Sequence, residues 1–271
     1  MRMRTIAFLM SLVLADAANA GEAAVRVGYR QGTLPTVSAD AAWASAPRAE
    51  LDLMGQIIIP PHGGGSVGKL SVRGLHNGQW LALHLEWADA TVNRQVGVNR
   101  FRDAVAVAFP MRQSDPLPSP FMGDEHNPVD VWQWTADFDA NAKGGGEFAE
   151  SYPHTDGVWY FPHDYDVQRR VTAWRGSTPV IDYVAHGFGS LARKSTQNVR
   201  GLGRHQKGRW QVVLVRQLST GNSEDILFRA GEVTHAVFAV WDGEKGEVNG
   251  KKSITITWVP FALDAADVAA R

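Results

Sequence analysis

Nine histidines, six methionines, 27 lysines and arginines and 28 carboxylates are the groups through which this chain of 271 residues can do chemistry, and there is no cysteine. Without thiols, disulfides, thiolate metal sites and the Cys-x-x-Cys-His attachment of a c-type haem are excluded. Chemistry must then rest on Met, His, Lys, carboxylates or a bound cofactor. None of the histidines falls in a His-Glu-x-x-His pattern. His154 and His163 flank the aromatic run Trp159-Tyr160-Phe161, and His186 precedes a glycine-rich turn; each reads as structural or solvent-exposed. There is no Gly-x-Ser-x-Gly nucleophile elbow. Gly63-Gly64-Gly65 and Gly144-Gly145-Gly146 lack the strand-to-helix context and the Lys-Ser/Thr ending of a phosphate loop, so they read as flexible loops.

The elements that must position such groups begin after an export signal. Met1-Arg2-Met3-Arg4 is a basic start, Thr5 to Leu14 an apolar stretch, and Ala18-Asn19-Ala20 a small-residue cleavage site, so residues 1–20 are expected to be removed and the rest delivered to the periplasm. The apolar stretch has about half the length a bilayer span requires. A mature chain of about 250 residues suits a single domain, 21–271, with a core large enough to fold without covalent staples. The net charge of −1, with dispersed basic residues, gives no electrostatic case for nucleic acid.

Period-two alternation dominates and predicts an all-β fold, an antiparallel β-sandwich. From Gln79 to Trp87, the residues Leu81, Leu83, Leu85 and Trp87 share one face with His84 and Glu86 opposite. Asn77-Gly78 predicts a hairpin joining this strand to Lys69–His76, and Lys207-Gly208 a second one between the segment from Asn198 and Trp210–Leu218. Further strands are expected at 104–109, 129–134, 226–229, 234–241 and 253–261, with a short helical tail at 263–271. Long excursions at 60–68, 111–128, 140–166 and 187–203 are of the length that functional loops have.

The order of segments resembles the haem-binding gamma subunits of ethylbenzene dehydrogenase, dimethylsulfide dehydrogenase, selenate reductase and chlorate reductase. The resemblance is carried by Asp40-Ala41-Ala42-Trp43 with Ala46-Pro47, Leu85-Glu86-Trp87-Ala88-Asp89 with Thr91, and the run Phe101 to Pro110. It continues through Phe121-Met122-Gly123, Pro128 to Trp134, His186 to Leu191 and Gly208 to Val213. It implies a sandwich whose long loops enclose one non-covalent haem b with methionine and lysine as axial ligands. It also implies a heterotrimer with a molybdopterin catalytic subunit and an iron–sulfur subunit, exchanging electrons with a soluble c-type cytochrome. The lack of cysteine agrees with non-covalent haem.

Carried onto this sequence, the resemblance makes Met122 the axial methionine, because the family's ligand stands in a Met-Gly segment shortly before the Val-x-Val-Trp-x-Trp strand. Met111 is a second candidate, and Met54 lies in a strand-like run where core packing is expected. For the lysine, Lys194 in the loop after Gly189-Ser190-Leu191 is preferred to Lys207 at a hairpin tip, with His186 or His205 as the departure from the family pattern. Trp132, Trp134, Trp159 and Phe188 are candidate apolar walls, and Arg193, with Arg200 and Arg204, a candidate partner for haem propionates. A thioether raises the reduction potential, while a lysine binds iron only as the free amine, which burial favours. With both axial positions filled by protein, such a haem transfers electrons and does not turn over substrate. The rival from another class is a secreted carbohydrate-binding β-sandwich whose exposed tryptophans stack on sugar rings.

Overall fold

The computed structural model describes residues 25–142 and 179–266, so the expected export signal, His154, Trp159 and His163 and the end of the tail lie outside the described residues. The expected all-β sandwich is found, built on the two predicted hairpins. Gly78 (φ 86°) turns β4 (Lys69–His76) into β5 (Trp80–Ala88), and Lys207 (φ 53°) with Gly208 (φ 69°) turns β10 (Arg200–His205) into β11 (Arg209–Gln217). Successive positive φ values match the twist of a two-residue hairpin.

One layer runs β10, β11, β5, β4, β1 (Val25–Tyr29) and β14 (Val259–Leu263), with β2 (Arg48–Asp52) alongside β4. The other runs β12 (Val233–Trp241), β6 (Ala104–Pro110), β7 (Val129–Thr135), β8 (Val180–Ala185) and β9 (Ala192–Arg193). The two-residue strands β3 (Met54–Gly55) and β13 (Ser253–Ile254) extend its far edge. β12 belongs to both layers: Val233 to Ala236 pair with β14, and Val237 to Trp241 pair with β6. The strand expected over 253–261 is therefore two strands in different layers, and 226–229, of which Ile226 and Phe228 are buried and Leu227 and Arg229 exposed, joins no sheet. Leu263, expected to open a helix, ends β14. The parallel pairs β1–β4 and β1–β14 were not expected; with consecutive elements left unpaired, they require the chain to return from a distance.

The core between the layers is aromatic. Trp87, Trp132, Trp134 and Trp210 are fully buried, with Trp134 edge-on to Trp87 and Trp210. The backbone of β10 lies so close to this cluster that a Cβ on Gly203 would stand 2.1 Å from the Trp134 ring. The face of β5 expected to be polar is covered as well. A 3₁₀ turn, Ala41–Ser45, capped by the Asp40 side chain, lays Trp43 at 5.2 Å from the His84 ring.

His84 is thereby buried, its Nε2 without a hydrogen-bond partner, and burial lowers its pKa to about 4. Unfolded, it takes up a proton near pH 6.5; folded, only near 4. Between these values the unfolded state binds more protons, so stability is full above about 6.5 and falls as pH falls. Urea titrations should show about 3 kcal/mol of His84-linked stability lost on acidification, and His84→Leu should flatten that part of the pH profile.

Candidate functional site

On β6 the alternation Ala104-Val105-Ala106-Val107-Ala108-Phe109 separates two apolar faces. Val105, Val107 and Phe109 enter the inter-layer core, while the three alanines face outward. Register continues this outer face across the layer: Ala106 opposes Ala239, Ala108 opposes Val131 and Val237, and Ala104 opposes Trp241. Val129, Ala185 and Ile254 complete a second buried apolar cluster, onto which Phe121, Met122, Tyr183 and Trp258 pack. The alanines form a floor of short side chains, and Ala104 and Ala106 are buried beneath what packs on them.

Met122 is delivered to this face by backbone constraint. It holds φ at 78°, rare for a residue with a side chain and costing on the order of 1 kcal/mol. Gly123 follows at φ 71°, where a Cβ would meet the Asn127 carbonyl at 2.9 Å. Gly123 N–H donates to Ser119 O, Gly187 N–H donates to Met122 O at 2.8 Å, and the Trp258 indole donates to Pro118 O at 2.7 Å. The loops at 111–128 and 187–190 are thus fastened to each other at Met122. Phe188, 53% exposed, sits in the second of them.

At the opposite strand of the layer, Lys252 places its ammonium 5.3 Å from the Trp241 ring centre. Among the described residues no carboxylate pairs with it, and burial lowers its pKa to about 8. An amine so tuned is available as a neutral donor at mildly alkaline pH. Sequence reasoning missed it, because Lys251-Lys252 reads as an exposed basic pair; only the pairing of β13 with β3 and β12 brings it against Trp241.

Lys194 is held differently. Its Nζ lies 2.7 Å from each of Asp130, Asp182 and Asp225, fully buried, and Arg216 bonds Asp130 at 3.0 Å. Burial alone would lower its pKa, but Asp130 and Asp182 outweigh burial and raise it. An ammonium that donates to Asp130 and Asp225 and lies against Asp182 has no lone pair for iron. Three carboxylates against two cations leave one excess negative charge, and burial with the Asp130 charge pushes Asp182 up.

The remaining expected residues divide between faces. Trp132 and Trp134 point into the inter-layer core, on the side of β7 away from Val129 and Val131, and so line that core instead of the Met122 face. Arg193 lies on the outer row, opposite Tyr183, whose pKa burial raises while Arg102 and Arg193 act to lower it. Arg200 and Arg204 are exposed on β10, in the other layer. Lys207 is exposed at its hairpin tip, His186 is exposed, and His205 contacts the Asp89 carbonyl at 2.8 Å. Met111 is partly buried, and Met54, expected in the core, is 45% exposed at the far edge, opposite Ile254. A soft thioether, an amine lowered by burial and an alanine-floored apolar face fit the donor set of a non-covalent haem.

Comparison with known proteins agrees with this chemistry. The model of a family described as ethylbenzene dehydrogenase matches residues 40–253. Chlorate reductase subunit gamma of Ideonella dechloratans is 27% identical over 269 residues, 95% of this chain and 95% of that protein. A Haloferax mediterranei protein described as a respiratory nitrate reductase haem subunit is 27% identical over 222 residues, 81% of this chain and 65% of its own length. Among solved structures, a family 9 carbohydrate-binding module from Caldicellulosiruptor kristjanssonii in complex with cellotriose aligns over 91% of this chain and 97% of its own, with a TM-score of 0.43 and 8% identity. Likeness at that level carries no ligand with it. With well over half of its length inside the matched span, the chain belongs to the ethylbenzene dehydrogenase family.

Proposed function

We propose that this chain is a periplasmic electron-transfer subunit that holds one non-covalent haem b. In this reading it relays electrons between an iron–sulfur subunit and a soluble carrier such as a c-type cytochrome, in a complex whose molybdopterin subunit performs the substrate chemistry. The observation that carries the proposal is the alanine-floored face bearing Met122 on a constrained backbone, with the burial-tuned Lys252 at the same layer. Family membership supports it, as do the two relatives, whose names are those of a reductase subunit and a haem subunit. Among the described residues no helix is long and apolar enough to cross a membrane.

Met122 and Lys252 are the residues that would hold the haem iron, with Lys252 in place of Lys194. When bound, the haem supplies one-electron chemistry. The chain would hold the thioether in place by the Gly187–Met122 bond, offer an amine that pairs with no carboxylate among the described residues, and exclude water with Phe121, Tyr183, Trp241 and Trp258. Arg193 would be the partner of a propionate. The sugar-binding alternative is not favoured: none of the tryptophans among the described residues is exposed enough to offer a stacking platform.

The mature protein from a haem-replete periplasm should give a low-spin b-type spectrum, with the pyridine haemochrome reporting one haem per chain. A colourless protein that also refuses added haemin would overturn the proposal. Met122→Leu should change the reduced spectrum and lower haem retention while unfolding within about 1.5 kcal/mol of wild type. Lys252→Met should likewise alter the spectrum, and Met54→Leu should not.

Lys194→Met is expected to destabilise the fold by about 3–5 kcal/mol in denaturant titrations, because it strands buried carboxylates. If that variant instead kept wild-type stability and lost the low-spin spectrum, Lys194 would be the ligand and Lys252 would not.

A further inference from the structure

A second group of acids lies apart from the haem face and has none of the cations that neutralise the Lys194 cluster. Asp89 directly follows β5, Asp103 directly precedes β6, and Asp242 directly follows β12. One carboxylate oxygen from each comes within 4.8 Å of the other two. All three side chains are more than nine-tenths buried, and among the described residues no lysine or arginine pairs with any of them. The contrast with Asp130, Asp182 and Asp225 is direct: the same number of carboxylates, similarly spaced, there contacts both Lys194 and Arg216.

Separate from the clustering, Asp89 carries an orphan atom. Its Oδ1 accepts from Thr91 N–H at 2.9 Å and from the Thr91 hydroxyl at 3.0 Å, but its Oδ2 is buried with no hydrogen-bond partner. A buried acceptor left unsatisfied calls for a partner that protein atoms do not supply. Asp103 is fixed by three donors: Asn93 N–H at 2.7 Å, Gly243 N–H at 2.9 Å and the Trp210 indole at 2.9 Å. Those bonds orient its carboxylate without neutralising the group as a whole. Burial raises both Asp89 and Asp103, the latter to about 6, as expected of acids deprived of a countercharge.

We propose that Asp89, Asp103 and Asp242 bind one hard divalent cation, calcium. The donor set is entirely oxygen, which selects hard cations over zinc or copper. The three ligands come from three separate turns, which suits the loose, high coordination of calcium better than the tight octahedron magnesium demands. The cation would tie the loop after β5 to the paired ends of β6 and β12, where Ala104 opposes Trp241. This site stands independently of the haem reading.

Calorimetric titration of the purified mature protein, stripped with a chelator and dialysed, should show saturable calcium binding at one site per chain and weaker magnesium binding. Calcium should also raise the melting temperature. Asp242→Asn should weaken calcium binding about tenfold or more and abolish the calcium-dependent rise. Asp89→Asn, which keeps the Oδ1 acceptor for Thr91, serves as the second variant should Asp242→Asn not fold. Wild-type protein that takes up no calcium and melts identically with calcium and with chelator would overturn the proposal and leave a proton shared among the three acids. Binding unchanged in both variants would overturn it too, by locating the ion elsewhere.

Discussion

The ammonium of Lys194, closed in by Asp130, Asp182 and Asp225, is the interaction around which the two layers meet. Asp130 and Asp182 belong to β7 and β8 in one layer. Arg216, which bonds Asp130 and stacks on Trp132 and Phe228 at 4.9 and 5.0 Å, belongs to β11 in the other. The Trp132 indole and the Ile226 amide both donate to Asp130 as well. Removing any one member leaves charges buried without compensation, so the cluster is strict about geometry even where its net contribution to stability is modest. It fixes β7 against the tryptophan core, and through β7 it fixes the opposite, outward face.

That outward face follows from the pleat alone. A strand whose residues are all apolar but alternate between alanine and larger side chains presents a filled surface on one side and a low one on the other. β6 does this, and register sets Ala239 of β12 beside its alanines while Val131 of β7 and Val237 and Trp241 of β12 border them. Met122 reaches it from a loop whose backbone is bent into a conformation that few non-glycine residues adopt, and the bend is held by bonds to Ser119 and Gly187.

Much of this was legible from residue order. Asn77-Gly78 and Lys207-Gly208 specify their turns chemically, and Leu81, Leu83, Leu85 and Trp87 specify the buried side of β5, so both hairpins are readable from local physics. The segment 253–261 was not, because its division between layers is decided by β12 changing partners, and nothing in Ser253 to Phe261 records that. His84 reads as a polar, outward residue; its burial depends on Trp43, forty-one positions earlier. The two lysines show the same limit: Lys194 and Lys252 are alike as letters. One is charged and locked because three acids from distant elements converge on it, and the other meets the Trp241 ring and, among the described residues, pairs with no carboxylate.

β12 leaves one layer at Ala236 and enters the other at Val237, so the sandwich is a single hydrogen-bonded surface folded over its own core. Layers joined only by side chains can slide; layers that share a strand can shift only by breaking backbone bonds. In the proposed electron-transfer role, such stiffness would keep donor atoms on facing elements at nearly fixed separation when the charge between them changes. Little nuclear rearrangement then accompanies each transfer, and the rate is set by distance and driving force instead of by motion of the scaffold.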